Sequence, residues 1–297
     1  MPFRVKKSLL LMVAACFWPG FQREVAAQEV VAVLSSELGP YLEAYEGFKE
    51  AMGHPVPVVS LSAGEPKVGR KTRIVVAFGS KAALEKYPAD AVLIYCMAPG
   101  TKLEAGGRKG VTIGISMLPR AREVIAAVRQ IQPMLNRLAV FWVLDTTEDY
   151  LQQMKAAAAE LQIEILDEQL QDADDLPDRL RALMNKKADA LWLPPDPLLI
   201  NAQSFSVIKE FSWANDVPFY APTAGFVEAG AVASVAVSFK RVGLTVAQVV
   251  QQVLSGETMP DGIYPEESET TLNLTAAAQT GLQISAEVKR RVHKVVP

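Results

Sequence analysis

From residue 30 onward the chain alternates short, wholly apolar runs with longer stretches whose apolar positions recur every three or four residues. Runs such as Ile74-Val75-Val76-Ala77-Phe78 lack the every-other-residue polarity of a half-exposed strand, so they predict parallel strands buried on both faces. In the first half the pattern gives strands at residues 30–34, 56–61, 73–78, 91–95 and 111–116, with helices over 41–52 and 81–86. The second half repeats it: strands at 138–144, 163–166, 190–193, 217–220 and 231–237 alternate with helices over 120–131, 149–161, 176–185 and 202–213. Ala156 to Ala159 favour helix because alanine loses no side-chain entropy there. A long helix over 242–254 ends at Gly256, and the tail reads as a strand at 271–274 followed by helices over 276–280 and 286–293. The whole is one α/β half written twice.

This organisation predicts an α/β fold of two Rossmann-like lobes with parallel sheets joined by a multi-segment hinge. The first lobe takes residues 28–117 plus about 239–261, and the second takes 118–238 plus about 262–297. Crossings are expected near 116–119, at Ser238 and near 259–264, and such a hinge permits closure about one axis. Parallel α/β sheets gather ligands at the carboxyl ends of their strands. Two such edges facing each other would clamp a small molecule.

The start reads differently. Arg4, Lys6 and Lys7 precede an apolar run from Leu9 to Trp18 and the small-residue stretch Val25-Ala26-Ala27, which predicts a signal peptide over 1–27 and a periplasmic destination. That run is shorter than the ~20 apolar residues of a permanent membrane span. Val13-Ala14-Ala15-Cys16 offers an alternative, a lipobox-like site that would anchor the protein through Cys16. Cleavage after Ala27 removes four basic residues (Arg4, Lys6, Lys7, Arg23) and one acidic residue (Glu24), and moves the net charge from −3 to −6. A mildly acidic chain without a basic cluster interleaved with aromatics is a poor match for nucleic acid. Cys96 is then the single cysteine, which rules out an internal disulfide.

The inventory for catalysis is thin. There are two histidines, His54 and His293, neither in a metal-ligand or triad setting. No dinucleotide fingerprint, phosphate-binding P-loop or nucleophile elbow occurs. Asp172, Asp174, Asp175 and Asp178 lack the glycine and terminal glutamate of a calcium loop and read as helix N-terminal carboxylates. No catalytic residue, metal or cofactor is expected.

Polar groups at strand ends are the better candidates for binding. Ser35 and Ser36 follow the first strand of one half, and Asp145, Thr146 and Thr147 follow that of the other. Gly79-Ser80-Lys81 opens a helix after a buried strand, where free N–H groups make an anion-sized site or simply cap the helix. Tyr95 is placed to wall a pocket, and Cys96 beside it reads as a small buried hydrophobe. In Trp192-Leu193-Pro194-Pro195-Asp196-Pro197 the prolines stop a buried strand and fix Asp196 at its end. Asp196 either receives a cation such as an α-ammonium group or turns the chain into the next helix. Tyr220 and Thr223 end the following strand, where Tyr220 is either a core residue or a ligand plate. Ser238 precedes the long helix at the expected hinge.

These strand ends carry a resemblance. Val33-Leu34-Ser35-Ser36 with 41–49, 190–196, 218–231, Leu254-Ser255-Gly256-Glu257 and 272–277 resemble the substrate-binding proteins of ABC transporters with the periplasmic-binding-protein type I fold, in the subgroup related to tryptophan-binding components. The resemblance implies a non-enzymatic, monomeric binder that closes on a small molecule, an amino acid with an aromatic or hydrophobic side chain, and presents it to an ABC permease in the inner membrane. It further implies polar or anion contacts from Ser35, Ser36, Gly79 and Ser80 and a cationic contact from Asp196. A secreted enzyme using Asp196 as general base with Ser35 or Ser80, and a sensory ligand-binding module, are the alternatives.

Overall fold

The computed structural model describes residues 29–65, 68–103 and 109–297. The expected signal peptide and Cys16 lie outside those residues. The first sheet is built from β1 (Val30–Leu34), β2 (Val58–Ser60), β3 (Ile74–Phe78), β4 (Val92–Cys96) and β5 (Thr112–Ile115), with α1 (Gly39–Met52) and the short α2 (Ser80–Leu84) between them. The chain then crosses to a second unit. Its elements are α3 (Ala121–Ile131), β6 (Arg137–Trp142), α4 (Glu148–Glu160), β7 (Glu164–Gln169), α5 (Leu176–Lys186), β8 (Ala190–Trp192), α6 (Ala202–Ala214), β9 (Phe219–Ala221), α7 (Ala224–Glu228) and β10 (Ala233–Ala236). It returns through α8 (Phe239–Leu254) and β11 (Gly262–Ile263), then ends in the second unit with β12 (Glu269–Asn273), α9 (Leu274–Gln279), α10 (Ala286–Arg291) and β13 (Lys294–Val296).

The two sheets run β11-β5-β4-β3-β1-β2 and β13-β12-β10-β9-β8-β6-β7. All pairings are parallel except β10 with β12, which is antiparallel. The exception lies on the return path: after β10 the chain leaves the second unit through α8 and β11, and β12 re-enters it running opposite to β10.

Period-two alternation assigns each strand residue to a layer. In the first sheet Ala32, Leu34, Ile74, Val76, Phe78 and Ile94 pack towards α1 and α8. Val31, Val33, Val75, Ala77 and Leu93 pack towards α2 and the flanking loops. In the second, Leu138, Val140, Trp142, Trp192 and Tyr220 meet α3, α4 and α9, whereas Ala139, Phe141, Leu191 and Phe219 meet α5 and α6. The helices match these layers: Val124, Ile125, Val128 and Ile131 fall on one face of α3, and all are buried.

Helix α8 belongs to the first lobe although it follows the second in sequence. It lies against α1 at backbone contact, because a Cβ on Gly243 would stand 1.8 Å from the Ala44 carbonyl oxygen and one on Gly47 would stand 2.3 Å from that of Lys240. The first and third crossings travel together, since β11 pairs with β5 and the Ser116 N–H donates to the Ile263 carbonyl at 2.8 Å. The sheet edge of the first lobe thus extends to Ile263. Three elements have no counterpart in the sequence pattern. These are α7, β11 and β13, the last following the helix expected over 286–293, which ends at Arg291.

Candidate functional site

A cavity of about 310 Å³ opens between the lobes at the hinge end of the first sheet. That is near the lower end of the roughly 300–1,000 Å³ found for small-molecule sites. The first lobe contributes Tyr95, the turn Ala98 to Thr101, and Gly114 to Met117. The paired crossings supply Leu118 and Asp261 to Tyr264, and the second lobe supplies Thr146, Thr147, Tyr150 and Pro195.

Each wall has a local cause. Tyr95 is half-buried, and Gly114 on the adjacent strand makes room for it, since a Cβ there would lie 2.7 Å from the phenol oxygen. Burial raises the Tyr95 phenol above its ordinary value, so it stays a neutral hydrogen-bonding group. Tyr150, in the first turn of α4, stacks on Trp192 with centroids 6.0 Å apart and donates to the Pro119 carbonyl at 2.9 Å. Burial raises its phenol strongly as well. The Arg120 guanidinium lies 6.0 Å from the Tyr264 ring centroid, which ties the first crossing to the third.

The lining is chemically one-sided. Among the described residues it has three tyrosines, hydroxyls at Thr101, Ser116, Thr146 and Thr147, and one carboxylate, Asp261, but no lysine, arginine or histidine. Such a wall offers faces for an apolar ring, neutral donors and acceptors, and one anionic group for a cation. It opposes a multiply charged anion.

Among the sequence-predicted residues, Tyr95, Thr146 and Thr147 line this cavity. Ser35, Ser36, Gly79 and Ser80 stand at the carboxyl ends of β1 and β3, on the same edge but roughly 10 Å farther along it at ~4.8 Å per strand. The Ser35 hydroxyl accepts the Ala82 N–H at 2.9 Å and caps α2, and the Gly79 N–H donates to the Cys96 carbonyl at 2.8 Å. The Ser36 hydroxyl oxygen is buried with no hydrogen-bond partner. Asp145 is exposed, accepts from Gln169 at 2.9 Å and faces Lys102 of the first lobe at 3.7 Å. Ser238 accepts the Arg241 N–H as the N-cap of α8, and Thr223 borders a shallow pocket with Phe205 and Phe226 on the second lobe.

Two expectations are corrected. Asp196 is 2 % exposed, and its carboxylate accepts the N–H groups of Val143 and Leu144, each at 2.8 Å, and of Leu198 at 3.0 Å. It turns the chain and staples the end of β6 to that of β8, which leaves it no open face for an ammonium group. Tyr220 is 1 % exposed in the core and donates to Gln132 at 3.0 Å, because the register of β9 turns it towards α3. Cys96 is fully buried with its thiol pushed up by burial, in keeping with a small core residue.

Sequence reasoning missed Ser116, Tyr150, Pro195, Asp261 and Tyr264 as lining residues. Of these, only Pro195 stands in a local motif, the proline-flanked strand end 192–197, that the sequence marks as a binding candidate.

A family model for ABC transporter substrate binding proteins matches residues 68–296. The chain belongs to that family. No curated protein gives a significant sequence match to this substrate-binding protein. Solved structures share its fold: an ABC domain in complex with L-Trp from Streptococcus pneumonia has a TM-score of 0.63 at 16 % identity, covering 90 % of this chain and 99 % of that one. A ligand-free, open substrate-binding protein with adhesive properties from Clostridium difficile scores 0.64 at 15 % identity, covering 91 % and 99 %. A solute-binding protein from Agrobacterium vitis with bound D-fucose scores 0.54 at 13 % identity, covering 89 % and 99 %. The architecture is that of periplasmic binding proteins of type I. Proteins of this family bind solutes outside the cytoplasm for a membrane permease. Among the described residues, no helix of this one is long and apolar enough to cross a membrane.

Proposed function

We propose that this substrate-binding protein captures an amino acid with an aromatic or other hydrophobic side chain in the inter-lobe cavity and delivers it, as a periplasmic monomer, to an ABC permease. The lining of that cavity carries the reading. Three tyrosine rings accept a flat apolar group, the threonine hydroxyls donate to a carboxylate, and among the described residues Asp261 is the one lining carboxylate available to an ammonium group. Asp261 takes the role first expected of Asp196. The tryptophan complex of the pneumococcal neighbour supports this class of ligand, whereas the fucose complex of another neighbour makes monosaccharides the competing one.

Thermal-shift and calorimetric screening against amino acids and monosaccharides tests it. Stabilisation by aromatic amino acids is expected, with Asp261→Asn lowering affinity at least tenfold at unchanged melting temperature. Binding of a sugar in place of every amino acid would refute the ligand class and leave the receptor role standing.

A further inference from the structure

Tyr150 belongs to three neighbourhoods at once. Its ring borders the cavity and stacks on Trp192, at 26° between planes, while its hydroxyl donates to the Pro119 carbonyl in the first crossing. Just ahead of that carbonyl, Ser116 closes a tight turn: its hydroxyl donates to the Leu118 carbonyl and accepts the Leu118 N–H, each at 3.0 Å. One turn along α4 from Tyr150, Gln153 receives the Tyr264 hydroxyl at 3.4 Å, a weaker link to the third crossing. One face of α4 therefore holds two crossings, and Ser116, Leu118 and Tyr264 from those crossings also form cavity wall.

We propose that Tyr150 is a positioning residue for ligand binding, fixing the second-lobe end of the first crossing so that bending is confined to Ser116–Leu118. This rests on the solute-binding reading above. The physical reason is preorganisation. With the Pro119 carbonyl held, the hinge-side wall keeps its shape before the solute arrives, and little ordering is left to oppose binding. Without the hydroxyl, a carbonyl beside a buried ring loses its donor, and the flexible part of the crossing lengthens. A solute seated against the Tyr150 ring would thus be read directly at the hinge.

The test uses Tyr150→Phe, which keeps the ring and its stack but removes the donor. Spin labels on Glu43→Cys and Glu160→Cys, exposed positions on the two lobes, report the inter-lobe distance distribution without any ligand. Stopped-flow tryptophan fluorescence with L-tyrosine as probe, in unlabelled protein, reports dissociation. The expected result is a broadened ligand-free distribution and an about tenfold faster dissociation, with the melting temperature within about 3 °C of wild type. Trp192→Phe, which weakens the stack but keeps the bond to Pro119, is expected to leave the distribution unchanged. An unchanged distribution in Tyr150→Phe, with or without a lowered melting temperature, would overturn the proposal. If neither L-tyrosine nor any other aromatic or hydrophobic amino acid binds the wild type, the amino-acid reading fails, while the distance distributions still decide the part played by Tyr150.

Discussion

Replacing Asp196 separates a structural carboxylate from a ligand-binding one. In Asp196→Ala the N–H groups of Val143, Leu144 and Leu198 lose their common acceptor in a setting where Asp196 itself is 2 % exposed. A hydrogen bond to a charged group contributes about 1.5–3 kcal/mol. Three bonds sharing one acceptor are not additive, and water reaches part of the turn once the side chain is gone. The net loss is set at about 3–5 kcal/mol. At roughly 2–4 °C per kcal/mol for a unit of 150–250 residues, the second lobe should melt about 10 °C lower. Asp196→Asn keeps one acceptor oxygen and turns an amide N–H₂ towards a backbone donor, so about 2 kcal/mol is expected. Differential scanning calorimetry with urea titration reads both variants. Wild-type stability in Asp196→Asn, combined with lost binding of ammonium-bearing ligands, would refute this reasoning and return Asp196 to the ligand.

Three further outcomes are expected. Gly100 sits at φ +73° in the cavity wall, a backbone conformation that strains any L side chain, and a Cβ there would also crowd Leu144 Cδ1 at 2.5 Å, so Gly100→Ala should distort the wall and weaken ligand binding about tenfold. Calorimetric titration reads the affinity, and an unchanged affinity would exclude a role for this turn in the site. Cys96 should resist thiol reagents in the native state at pH 8 and react only on unfolding, since it is fully buried and its thiol is pushed up. Cys96, Tyr150 and Tyr220 all have folded values raised by burial above their ordinary 9.0, 10.0 and 10.0. Their contribution is present in full below those values and is lost as the pH rises past them, so denaturation midpoints should fall above about pH 9. Tyr220→Phe should make that fall shallower.

What could be read from the chain was what depends on neighbours in sequence. Ile74 to Phe78 announce a two-sided strand because every residue is apolar, and Val124, Ile125, Val128 and Ile131 announce the buried face of α3. Gly262-Ile263 is too short to show a period, and it becomes a strand only because β5 is within reach. The site was less legible for the same reason. Asp196 could be placed at a strand end, but its partners Val143 and Leu144 lie more than fifty residues earlier. Tyr150 reads as an ordinary core position of an amphipathic helix, and nothing local says that its hydroxyl meets Pro119. Tyr264 and Asp261 become cavity wall only through the path of the third crossing.

The seating of α8 against α1 has a consequence for the order in which the protein can be completed. The core of the first lobe lacks Val242, Val246 and Val250 until α8 arrives, and its sheet lacks an edge until Gly262 is available. The second lobe in turn waits for Leu272 and Ala276. A chain delivered from its N-terminus can finish neither lobe until residues beyond Phe239 have emerged, however early its first strands collapse. Both halves then close within the same final stretch, so a molecule cut off after β10 would hold most of its sequence and not one complete lobe.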